Sequence, residues 1–105
     1  MKTINKIMVA VDFSEYALAA ADYAAKLAKD TGATLLFTNV YNQREIEMMN
    51  TVATRVPEFS VKKYTDDNVK ERMARLHKLA KKLVVNNHLP ETHVRIGVPF
   101  EALLQ

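Results

Sequence analysis

Asp12, Phe13 and Ser14 follow directly on an uninterrupted apolar run, Ile7 to Val11. In open α/β sheets, ligands bind beyond the carboxyl ends of the strands, where the strand order reverses. Asp12 would stand at that point and offer an acceptor for ribose hydroxyls or an adenine amino group. The same residue equally suits an Asx turn at a helix entrance. Ser14 sits where an N-cap belongs, with Glu15 in the first turn to suit the helix dipole, so it reads as a cap rather than a nucleophile. The helix it starts would favour an anion near its N-terminus. Asn39, Val40 and Tyr41 close a second apolar stretch and would lie beside Asp12.

Other chemistries have little support. The two glycines, Gly32 and Gly97, are 65 positions apart, so no Gly-x-Gly-x-x-Gly, Walker A loop or Gly-x-Ser-x-Gly elbow exists. There is no cysteine, which removes disulfides, thiolate metal sites and a cysteine nucleophile and fits a reducing compartment. His77, His88 and His93 have no metal-ligand spacing, and Ser14 and Ser60 are the only serines. No acid–base pair stands out, and the chain reads as a binding protein rather than an enzyme.

The elements that must position these residues follow from the apolar pattern. Ile7–Val11 has the continuous character of a strand covered on both faces. Ala17, Ala20, Ala21, Ala24, Leu27 and Ala28 recur at helical spacing, and Gly32 supplies a left-handed cap. Residues 33–40 form the second strand. The stretch from Tyr41 to Phe59 is long for a connection and reads as a lid or as containing a short helix, with Ile46 and Met49 able to support one weak turn. A second long helix spans about 65–86 on the stripe Val69, Met73, Leu76, Ala80 and Leu83. The third strand covers about 92–98, with His93 and Arg95 on a polar side. Pro99 then opens a helix bearing Phe100, Leu103 and Leu104.

Charge and length narrow the class. The 105 residues form one domain, 49% apolar and 26% charged, with net charge +3. Residues 60–83 hold eight bases against three acids. That helix reads as a solvated face, and the absence of interleaved aromatics argues against nucleic acid. The longest uncharged stretch, residues 31–43, is too short for a membrane span, so the chain reads as a cytoplasmic protein.

Strand–helix–strand units of this length imply parallel strands joined by right-handed crossovers. The order 3-2-1 leaves the most apolar strand at an edge, which natural sheets avoid. Strand 1 should therefore be interior to a larger sheet. The expectation is an incomplete doubly wound domain over residues 1–105, truncated after the third strand, whose strand 1 pairs with a further partner, as in a homo-oligomer.

The segments Lys6–Glu15, the alanine-rich helix through Ala28, Gly32–Leu36 with Asn39-Val40, and Ile96-Gly97-Val98-Pro99 together resemble the universal stress protein family. The resemblance implies a doubly wound parallel α/β fold of the adenine nucleotide α-hydrolase type, a role in stress responses, dimers, and ATP or AMP as ligand. It places the adenosine contacts at Asp12 and Val40, with Ala10 lining the same cleft. The candidate binding residues are thus Ala10, Asp12, Phe13, Ser14, Asn39, Val40 and Gly97. The family's glycine-rich phosphate loop has no counterpart here, so tight ATP binding is not expected. The alternative is a protein-interaction or dimerisation module that binds no nucleotide.

Overall fold

The computed structural model describes residues 5–97. Its elements are β1 (Lys6–Ala10), α1 (Glu15–Thr31), β2 (Thr34–Asn42), α2 (Gln43–Arg55), α3 (Val61–Lys82) and β3 (Glu91–Gly97). The strands form one parallel sheet in the order β1-β2-β3, as the crossovers require. β2 is central; β1 pairs with it from Lys6 opposite Thr34 to Ala10 opposite Thr38, and β3 pairs along its other side. Within the chain, β1 is therefore a border strand, and Met8 on it is half exposed. Val11 lies just past β1 yet still donates its N–H to the Thr38 carbonyl at 2.8 Å.

Side chains alternate across the sheet. Ile7, Val9, Val11, Leu35, Phe37 and Val94 belong to one cluster with residues of α1 and α3. Register places Met8, Leu36 and Glu91 in one row of the opposite face, and Ala10, Thr38 and His93 in the next. Lys6 and Glu91 form a 3.1 Å ion pair, and both are about half exposed.

Helix α1 forms as its sequence demands. Ser14 Oγ accepts from the Ala17 N–H at 3.2 Å. Gly32 closes the helix at φ 75°, with its N–H on the Ala28 carbonyl. The buried stripe is entirely alanine: Ala17, Ala21, Ala24, Ala25 and Ala28. Such small side chains bring the helix axis close to the sheet and leave few voids. Leu76 of α3 is fully buried against the same cluster.

Two regions differ from the sequence expectation. The segment after β2 holds more than one helical turn: α2 runs for 13 residues, capped by Asn42, whose Oδ1 accepts from the Arg44 N–H at 3.0 Å. None of its residues is buried, so the core pattern that reveals other helices is missing. Helix α3 spans 61–82 rather than 65–86. Ser60 caps it through Lys63 N–H at 3.1 Å, nine residues before Val69, the first residue of the apolar stripe. Beyond it, Asn86 and Asn87 both adopt positive φ, and Val85 and His88 exchange backbone hydrogen bonds around them. Two successive left-handed residues make a tight reverse turn, which asparagine tolerates. The expected helix from Pro99 through Phe100, Leu103 and Leu104, and the position of Val98, lie outside the described residues.

Candidate functional site

Backbone geometry after β1 sets the site. Asp12 Oδ1 accepts from the Ser14 N–H at 2.9 Å, closing an Asx turn. Both readings of Asp12 therefore coexist: it shapes the helix entrance, and its carboxylate remains exposed. The Ser14 hydroxyl, then the Ser14 N–H, hold that carboxyl below its ordinary pKa, outweighing a small opposing effect of desolvation. The residue between them, Phe13, is forced to φ 66°. A phenylalanine in the left-handed region carries strain that surrounding contacts must hold in place.

An open cleft of ≈ 510 Å³ lies at the carboxyl ends of β1 and β2. Its wall contains Ala10, Asp12, Ser14, Asn39 and Val40, together with Tyr16 and Thr38. Five of the seven expected residues thus meet. Small Ala10 leaves room, and Thr38 contributes a buried hydroxyl that has no hydrogen-bond partner. The lining has one carboxylate and no lysine or arginine. It suits an uncharged hydrogen-bonding body better than a polyphosphate.

Two expected residues lie away from the cleft, and a third is engaged elsewhere. Phe13 does not face the cleft; its ring lies beneath Arg75, whose guanidinium carbon is 4.0 Å from the centroid. Gly97 pairs with Asn42 at the far end of β3 and does not line the cleft. Asn39 touches the wall, but its side chain is already engaged. Its Nδ2 donates to the Val11 carbonyl at 2.7 Å, and its Oδ1 accepts from Arg72 at 2.8 Å. It fixes the end of β1, with both ends of its amide already engaged within the protein.

Arg72 is the residue that sequence reasoning missed. It lies on the basic helix, which composition marks as solvated, yet its side chain is only 24% exposed. It donates to Asn39, approaches the Val40 carbonyl at 3.5 Å, stacks 4.4 Å above the Tyr41 ring and faces Glu45 at 3.7 Å. Tyr41 is fully buried, and its hydroxyl has no hydrogen-bond partner of good geometry. Burial first, then the neighbouring Tyr64 and Glu45, push its phenol above the usual pKa against the opposing pull of Arg72. The only advance signal for Arg72 was its place four residues before the buried Leu76.

Among the described residues, no group of three metal-ligating side chains exists, and no helix is long and apolar enough to cross a membrane.

Over residues 3–105 the sequence matches the universal stress protein family. A search of curated proteins finds no match. The fold is similar to that of hypothetical protein MJ0577, whose biochemical function was assigned from its structure, with 19% identity and a TM-score of 0.65. It is also similar to a universal stress protein in complex with cAMP, with 20% identity and a TM-score of 0.54. Each likeness covers 97% of this chain but only 65% and 62% of the respective neighbours.

Proposed function

Because the chain belongs to the universal stress protein family, we propose that it is a non-catalytic, cytoplasmic stress-response protein whose cleft takes the adenosine half of ATP or AMP. The observation that carries this reading is the cleft itself, where the exposed Asp12 carboxylate stands beside Ala10 and Val40. Asp12 accepts from a ribose hydroxyl or the adenine amino group, and the apolar wall covers the flat base. The complex of a similar universal stress protein with cAMP supports an adenine ligand. The lining lacks a cation, so the phosphates add little affinity.

Titration calorimetry with adenosine, AMP and ATP tests this. All three bind within about tenfold of one another, and Asp12→Ala weakens each by about tenfold or more, the loss of a charge-assisted hydrogen bond. Absence of heat with every ligand, or binding indifferent to Asp12→Ala, overturns it. Steady ATP hydrolysis abolished by one substitution overturns the non-catalytic assignment.

A second reading has its own support, in the border position of β1 and the half-exposed Met8. Here the chain is an interaction module, and β1 pairs along its free edge with a strand of a second copy. Sedimentation at micromolar concentration checks this: a monomer with rapidly exchanging β1 amides removes it.

A further inference from the structure

The basic helix does two different things along its length. Arg72 is drawn inward, but one turn later Arg75 turns outward and covers Phe13. Arg75, Lys78 and Lys82 then line a shallow pocket whose other walls are Phe13, Leu18 and Leu79. All three cations are exposed. Among the described residues, none of the ion pairs involves them. From Arg75 to Lys82 the helix rises about 10 Å. The floor is apolar, Leu18 is 41% exposed, and the strained Phe13 is held as part of it. Unpaired cations around a recessed apolar floor make an amphipathic anion site, separate from the nucleotide cleft and facing the other side of the 12–14 loop.

We propose that the pocket between α1 and α3, ringed by Arg75, Lys78 and Lys82 over Phe13, Leu18 and Leu79, docks an acidic peptide segment of a partner protein through one apolar side chain. Charge complementarity selects carboxylates for the rim. The floor selects a peptide over other polyanions, because a nucleic acid backbone has no apolar group to seat there. A base cannot stack on Phe13, since the guanidinium already covers that ring. A membrane surface fits less well, because the apolar stripe of α3 carrying Leu76 and Ala80 faces the core.

The test uses a fluorescein-labelled peptide alternating glutamate with leucine, read by fluorescence anisotropy against the full chain. Binding is expected, and Lys78→Glu with Lys82→Glu should weaken it by about tenfold or more. The matched reversal Lys62→Glu with Lys63→Glu, at the other end of the same helix, should change it less than about threefold. Replacing the leucines of the probe by serine should also cost about tenfold. Because all four lysines are exposed, circular dichroism of both variants should match the parent. Equal losses from the two double variants would reduce the effect to diffuse attraction and overturn the proposal. So would indifference to the serine exchange, no binding at all, or displacement of the peptide by phosphatidylglycerol vesicles or single-stranded DNA at lower concentration.

Discussion

Replacing Arg72 by methionine keeps most of the aliphatic length and removes the guanidinium. Besides the 3.5 Å approach to the Val40 carbonyl, three interactions go with it. The first is the 2.8 Å hydrogen bond to Asn39, a residue 2% exposed. Water cannot easily reach the orphaned Oδ1, so this loss costs about 1–3 kcal/mol. The second is the stack over the buried Tyr41 ring at 4.4 Å, worth about 1–2 kcal/mol where partly desolvated. The third, the 3.7 Å pair with the half-exposed Glu45, contributes at most about 1 kcal/mol and falls away in salt. The expected destabilisation is about 3 kcal/mol, a large part of the margin of a domain this size. Urea unfolding followed by circular dichroism should show a lower midpoint at unchanged m-value. Arg72→Lys should recover only part, because an ammonium can neither stack nor reach both partners in a plane. The decisive comparison pairs Arg72→Met with Asn39→Leu. Once both polar partners are gone, no orphan remains on either side of their shared bond, so the double variant should lose about 1 kcal/mol less than the two singles added. A cost below about 0.5 kcal/mol for Arg72→Met, or strict additivity, would refute the buried clamp and return Arg72 to the solvated face.

Tyr41→Phe removes a buried hydroxyl without a good partner while keeping the ring, so thermal melting at neutral pH should be unchanged or raised by a few degrees. The Tyr41 phenol titrates above its ordinary 10.0 in the folded chain, so its stabilising share is full below pH 10 and is lost as pH rises through the folded value; Tyr41→Phe should flatten that loss in melts taken above pH 10. Asp12 has the opposite sign: its folded value lies below 3.8, so its share is present above that pH and disappears as the carboxyl is protonated, which NMR titration of the Asp12 carboxyl will follow and Asp12→Asn will abolish. Ser14→Ala removes the cap of α1 and should cost about 1 kcal/mol by urea unfolding. Gly32→Ala meets no neighbouring atom but must hold φ 75°, so it should cost about 1 kcal/mol through backbone strain alone.

Local signals carried most of the fold. The unbroken run Ile7–Val11 marked β1 to within one residue, Ser14 and Gly32 marked both ends of α1, and the 4-3-4-3 stripe marked α3. Helix α2 was hard to read because its apolar stripe is short and only half-buried: Ile46, Met49 and Ala53 recur at helical spacing, but polar residues surround them and none is fully buried. The expected helix ran as far as Asn86, but two adjacent asparagines suit a tight turn, and the helix stops at Lys82. At the site, Asp12 and Val40 could be placed because strand ends in parallel sheets converge, whereas Ala10 followed only from the family resemblance. The inward turn of Arg72 could not, since its partner Asn39 lies 33 residues away. Nor could the outward turn of Phe13, which depends on the sign of one backbone dihedral.

That dihedral has a mechanical consequence. Phe13 keeps its left-handed backbone angle between two fastenings: the Asx turn of Asp12 with Ser14 closes around its backbone, and the Arg75 guanidinium lies over its ring. The three-residue loop thus has a foot on each side, with Asp12 in the wall of the cleft and Phe13 in the wall of the basic pocket.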